Sequence, residues 1–423
     1  MRNIRLATLG LASFLPLLSL AAAAQTIDPA SLLGQFRADR AKGMQALDWR
    51  DPNAAYASFE QAQGLIPDSP SILLLEAQTA LKQDHKDVAR AALTDYLKRG
   101  FLVDLKQNPE FNPVWNADME ALQKANAAPV GEMHVAATLP GFTLADGLAY
   151  VPEGQQLFIS TLRNGKIILL QPSGGHDVIT FRPSVAASGL GLHGGLLWVA
   201  TAATRQTTGY DPKADLVSKI VTVDPADGTV KTVVTADKNS QFGHLLAGKD
   251  DLYVVDAYHS SVLRLNDYTG ELQTLIPEGY MDSPQGLAEN EDGSVLIVSD
   301  FISGLYRIDL QTGEMSHLAP PADGSLLGIT SLSLYGHDLI AVQNGFKPNK
   351  ILHLHMSDDW KSVTSSQVVL RGDSQMSQPA QGLVDGDHFI FVARSQWDNL
   401  DDGGNAISDK PEPATIGAVS LKP

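Results

Sequence analysis

The chain has 423 residues, no cysteine, and 31 Lys and Arg against 48 Asp and Glu, for a formal net charge of -17 at pH 7. The missing cysteine removes disulfides, thiolate metal sites and a cysteine nucleophile, and the acidic balance argues against nucleic acid or an anionic membrane as partner. The length exceeds what one hydrophobic core usually holds, so two domains are expected.

Residues 1–24 read as a secretory signal. Arg2 and Arg5 form a short basic region, an apolar run covers residues 6–20, and Ala22-Ala23-Ala24 supplies small residues for cleavage before Gln25. The run is shorter than the roughly 18 residues a spanning helix needs. The mature chain is therefore expected to be periplasmic or secreted, with no membrane span.

Residues 29–127 are expected to be helical. Ala55, Phe59 and Ala62 recur at helical spacing before Pro67, and Ala89, Leu93 and Tyr96 repeat the pattern 34 residues later. Gly43 and Ala77 stand twelve positions ahead of Ala55 and Ala89, where paired helices approach closely. This order resembles the tetratricopeptide repeat, although Asp39 stands where its tryptophan is usual. Two such hairpins offer either a groove for an extended peptide or protein partner, or a structural cap on the next domain. Residues 126–131 read as the linker.

From residue 133 onward the texture becomes short β-rich runs broken by Gly, Asp and Asn. Asp224, Asn266 and Asp309 each end a strand and open a tight turn closed by Gly228, Gly270 and Gly313. Upstream of each turn lies a second marker, a small or polar residue before a strand, followed after a turn by a Leu-Tyr-Val type strand. It occurs at Asp146, Ser188, His244, Gln285, Thr330 and Gln381. Six units predict an all-β six-bladed propeller over 133–423, behind the helical domain, with residues 133–139 supplying the outer strand that the last unit lacks.

Radial packing brings the six strand starts to one mouth of the channel, together with the second-strand ends Thr161, Asp256, Asp300, Asn344 and Gln396, and Trp397 nearby. Oxygen ligands of this kind suit a hard divalent cation such as calcium, with Asp146, Asp256 and Asp300 as ligands, although an aspartate ending a second strand, as Asp256 and Asp300 do, is equally readable as a turn former. His244 and Asp300 are the expected catalytic groups, His244 as general base. Gln285, Asn344, Gln381, Gln396 and Trp397 are the expected contacts to a small-molecule ligand, through a carbonyl or sugar-like hydroxyls.

Asp146-Gly-Leu-Ala-Tyr, Leu-Phe-Ile-Ser-Thr, Asn164-Gly-Lys-Ile, Leu-Tyr-Val-Val-Asp256 and Ile-Val-Ser-Asp300 together resemble the gluconolactonase/regucalcin family of six-bladed propellers. The resemblance spans roughly residues 133–423. It implies a divalent metal at the channel mouth, held by one carboxylate, two asparagines and an aspartate, and hydrolysis of lactones or esters. Asp146 falls where that family has its first-blade glutamate. Ser188 and His244 stand where asparagines are expected, and Gln285 stands near the aspartate position.

Three further features complete the reading. Arg371-Gly372-Asp373 reads as a turn between blades. His353 and His355 alternate in a strand and share one face, a two-histidine pair with no third ligand visible. Residues 398–409 are either a lid or a solvated loop. Two functions are open: an exported, metal-assisted hydrolase of lactone or ester bonds, or a non-catalytic binding module in which propeller and helices act as scaffold.

Overall fold

The computed structural model describes residue 28 and residues 30–422 other than 172, 173, 215, 402 and 409. The predicted export signal lies outside the described residues.

Five helices come first: α1 (Leu32–Asp48), α2 (Pro52–Leu65), α3 (Pro70–Lys82), α4 (Lys86–Lys98) and α5 (Ala117–Ala127). Their starts are set locally. Ser31 and Asp51 accept hydrogen bonds from the amides of Gly34 and Ala54, and proline occupies the first position of α2 and α3. The periodic residues form the cores of two hairpins, with Ala55, Phe59, Ala62, Ala89 and Leu93 fully buried. Gly43 explains how tightly α1 and α2 pair, because a methyl group there would stand 2.3 Å from the Phe59 ring.

The propeller is present with all six blades. Six four-stranded antiparallel sheets occupy 145–180, 186–235, 242–276, 284–317, 329–371 and 382–420. The sixth is completed by His134–Leu139, which pairs with Ala414–Ser420 and joins the two ends of the ring. The hydrophobic core is divided into wedges, each shared by neighbouring blades. Phe158 and Leu169 of blade 1 pack with Leu190 and Val199 of blade 2, and Tyr253 and Val262 of blade 3 with Leu296 and Val298 of blade 4. A blade that buries both faces this way removes apolar surface worth roughly 25 cal/mol per Å² from water. The expected turns form as read: the amides of Gly228, Gly270 and Gly313 donate to the carbonyls of Asp224, Asn266 and Asp309.

The helical domain docks on the mouth end of the ring. Strand directions fix this: in blade 5, Ile329 starts the inner strand, Gln343 ends the second and Lys350 starts the third, so all three lie at one end. Loops of that end carry the docking contacts. Asp68 accepts the Leu326 amide at 2.7 Å, Arg99 donates to the Gly324 carbonyl at 3.0 Å, and Lys350 donates to the Gly100 carbonyl at 2.9 Å. Leu327 enters the α1–α2 core, and Phe346 meets the Phe101 ring edge-on at 5.0 Å. Arg371 donates to the Ala125 and Ala128 carbonyls at 2.7 and 2.9 Å, so its side chain is buried at the junction with the helical domain, while Gly372 beside it is exposed.

Overpacking tests the helix approach. Gly43→Val is expected to lower stability by about 1–3 kcal/mol in denaturant unfolding, because the Phe59 ring must leave its position.

Candidate functional site

The mouth is built from a repeated irregularity. The inner strand of each of the first five blades slips by one residue against its neighbour, between Ala145 and Leu148, Ala187 and Leu190, Phe242 and Leu245, Pro284 and Leu287, and Ile329 and Ser331. In blade 6 the same slip appears as Ala380 and Gln381 both bonding Val392. A bulge inserts an extra residue and re-aims its side chain. Asp146, Ser188, His244, Gln285, Thr330 and Gln381 all sit in or at these bulges and line one cavity of about 60 Å³, room for several waters.

Hydroxyls tie the inner strands together. Ser160 accepts the Gly147 amide and donates to the Ser188 carbonyl of the next blade, and Ser299 likewise links Gly286 to Ile329. The Ser188 hydroxyl bonds the Ala200 and Phe242 carbonyls at 3.0 and 2.9 Å, so it serves as a stitch between blades.

Asn344 and Trp397 complete the expected lining. Asn344 donates one amide hydrogen to the Pro379 carbonyl and keeps a second. The Gln285 amide does the same toward Ser283. Three cavity-lining residues carry buried polar atoms with no protein partner: Gln241 Oε1, His244 Nδ1 and Gln381 Oε1. Gln241 was not foreseen from sequence, and its place immediately before the inner strand Phe242–Ala247 that carries His244 is the signal that would have found it.

Electrostatics separates the two ionisable groups. Asp146 lines the cavity, and burial pushes its carboxyl up to about 6. Burial takes His244 the other way, down to about 4, so its imidazole is neutral at physiological pH. Among the described residues, no lysine or arginine lines the cavity. Asp146 is thus the more basic group, and His244 is a neutral hydrogen-bonding one.

The remaining expected site residues serve elsewhere. Asp256 accepts the amides of Gln241 and Tyr258 and bonds His259 at 3.0 Å. Asp300, fully buried, accepts the amides of Asp282, Ser283 and Ser303 and the Ser303 hydroxyl. Gln396 takes the Thr143 and Leu144 amides and donates to the Gly141 and Glu412 carbonyls. None of the three lines the cavity. The physical reason is that each second strand ends in a turn whose backbone groups are buried and need partners. Asp256 and Asp300 therefore act as turn clamps, not as metal ligands or a catalytic base at the mouth, and Gln396 holds backbone where a ligand contact was expected. The calcium set reduces to Asp146, which does not fit a hard cation that takes six to eight oxygens and usually several carboxylates.

Among the described residues, one group of three has ligand atoms close enough to share an ion. Asp338, His353 and His355 have theirs within 4.8 Å of one another. The group lies away from the mouth, since Asp338 begins the strand that Gln343 ends there. Residues 398–409 fold on themselves where described, with Asp401 accepting the Gly403 and Asn405 amides. No described helix is long and apolar enough to cross a membrane.

No protein-family model matches the chain, and no curated protein matches it. Among solved structures it is similar to a gluconolactonase from Xanthomonas campestris, at 14% identity over 69% of this chain and 94% of that one, with a TM-score of 0.48. It is also similar to a luciferin-regenerating enzyme, at 15% identity over 69% and 95% of the two chains, with a TM-score of 0.49. A structure of a nidogen/laminin complex matches at 12% identity over 63% and 99%, with a TM-score of 0.45.

Opposite pH responses test the electrostatics. A carboxyl raised in the folded state costs nothing below its ordinary value of 3.8 and destabilises as pH rises through about 6. Asp146→Asn is therefore expected to raise stability at pH 8 by up to about 3 kcal/mol and to leave it unchanged at pH 3. For His244, stability is lost as pH falls from 6.5 toward about 4, so His244→Gln is expected to gain only at acid pH. Asp300→Ala strands several buried amides and is expected to lose about 3 kcal/mol or more at neutral pH. Denaturant midpoints across pH read all three.

Proposed function

We propose that this chain is an exported hydrolase of lactone or ester bonds in a small uncharged molecule, with Asp146 as general base. The observation that carries it is the pairing in one cavity of a carboxyl raised to about 6 with a neutral imidazole. A base with this value is ionised at pH 7 yet more basic than an ordinary carboxylate. The absence of lining cations, together with Asp146, favours an uncharged substrate over an anionic one.

In this reading a water beside Asp146 gives up its proton to the carboxylate as its oxygen bonds the substrate carbonyl carbon. The carbonyl oxygen takes the developing charge and accepts hydrogen bonds from the spare amide hydrogens of Gln285 and Asn344. As the carbon–oxygen single bond breaks, protonated Asp146 returns the proton to the leaving alcohol. Gln381 and His244 hold hydroxyls of the substrate, and Trp397 with Leu162 forms an apolar wall. No step is routed through a metal, because the mouth keeps one carboxylate of the three expected.

Export rests on Arg2, Arg5 and the apolar run over residues 6–20. N-terminal sequencing of protein recovered outside the cytoplasm is expected to begin at Gln25. A second reading, a binding module without turnover, is favoured by the unpartnered Gln241 and Gln381 oxygens, which suit recognition of ligand hydroxyls, with the helical hairpins as a scaffold that could also hold a protein partner.

A panel of sugar lactones, aliphatic lactones and aryl esters separates the two. The hydrolase is expected to show kcat/KM that falls below a pH of about 6, with Asp146→Asn reducing kcat by about 100-fold or more. Ligand-dependent stabilisation in wild type and Asp146→Asn alike, with no turnover of any panel member, selects the binding module.

A further inference from the structure

We propose that Asp338, His353 and His355 form a separate metal site at the far end of blade 5, binding a divalent transition-metal ion such as zinc through two imidazoles and one carboxylate. His353 and His355 alternate along the strand Lys350–Met356 and so project from the same face. The pairing of Ile340 with His353 and of Leu339 with Leu354 brings Asp338 opposite His355 on the neighbouring strand. Sequence alone showed the two histidines, and strand register supplies the third ligand.

Asp338 Oδ2 lies 2.8 Å from His353 Nε2 and 2.8 Å from His355 Nδ1. Ligand atoms around a tetrahedral zinc with bonds of about 2.0–2.1 Å stand roughly 3.3 Å apart, so each carboxylate–imidazole separation needs to open by only about half an ångström, and all three ligand atoms already lie within 4.8 Å of one another. The second carboxylate oxygen accepts the Met356 amide at 3.0 Å, which fixes the plane of the carboxylate as an outer hydrogen bond does for a ligand. The Tyr335 ring packs edge-on against His353 at 5.6 Å. All three ligands stand on strands of a rigid sheet, which favours a prepared geometry.

The donors also select the ion. Imidazole nitrogen suits zinc, copper and nickel and disfavours calcium and magnesium, which take oxygen ligands. With the side chains of His355 and Asp338 38% and 24% exposed, a fourth position opens to water. A carboxylate only accepts hydrogen bonds, so in the metal-free protein both imidazoles donate to Oδ2. Loading moves each proton to the other ring nitrogen and frees the inward lone pair. The site is about 17 Å from the mouth end of its own strand, at 3.3 Å per residue, so the ion is separate from the chemistry proposed at Asp146. Its effect is to clamp the second and third strands of blade 5, and binding to the folded state alone raises stability.

The test uses full-length protein without a polyhistidine tag, stripped with chelator and titrated calorimetrically with zinc chloride, with cobalt(II) absorption as a second readout. Wild type is expected to bind one zinc per chain at micromolar concentration, to raise its unfolding midpoint, and to give a cobalt spectrum typical of low coordination number. His355→Gln and Asp338→Asn, each with the far-ultraviolet circular dichroism of wild type, are expected to weaken zinc by more than about tenfold. Asp146→Asn is expected to bind as wild type does, which separates this site from the mouth. Absence of saturable zinc binding, or undiminished binding in the His353→Gln/His355→Gln double variant, overturns the proposal.

Discussion

Six inner strands converge on one axis, and the space left there governs the rest of this molecule. At Gly189 an added methyl group would stand 2.4 Å from the backbone of the neighbouring inner strand. Contact this close between neighbouring strands excludes side chains from part of each turn around the axis. The backbone responds with a one-residue slip in every inner strand, and the displaced residue is the one aimed into the channel. The ring of Asp146, His244, Gln285, Thr330 and Gln381 is therefore a consequence of blade convergence, with chemistry added by residue choice.

Polar residues at the same end of the ring divide into two groups for a related reason. Second-strand ends lead into buried turns whose amides and carbonyls have no ladder partner, and Asp256, Asp300, Gln343 and Gln396 satisfy them. Strand starts line the cavity instead, and although Ser188, Gln285 and Gln381 each make a hydrogen bond nearby, His244 Nδ1 and Gln381 Oε1 keep no protein partner. Burial then sets their acidity. With no lining cation to compensate, the one carboxyl is raised and the one imidazole lowered.

The helical domain adds to this end of the propeller. Asp68, Arg99 and Gly100 meet the loops of blades 4 and 5 that also lead to Asn344. Phe346, two residues from Asn344, is held between the helices and the rim. The position of Asn344 thus depends on helical packing around Phe101 as well as on the sheet, which couples the small domain to the mouth.

The sequence by itself determined the elements and their count. Helical spacing at Ala55, Phe59 and Ala62, the turns at Asp224, Asn266 and Asp309, and the six repeated strand starts were legible because local periodicity and turn chemistry act over a few residues. Six strand starts were enough to place Asp146 and His244 at one mouth. Tertiary structure decided which polar side chains are free. Asp256 and Asp300, at second-strand ends, were readable from sequence either as ligands or as turn formers, and the loops folded back on them show their carboxylates occupied. Asp338 became a neighbour of His353 and His355 through strand register, and the acidity of Asp146 through the packing around it. Register and desolvation both depend on residues far apart in the chain, so neither is written in any local stretch of it.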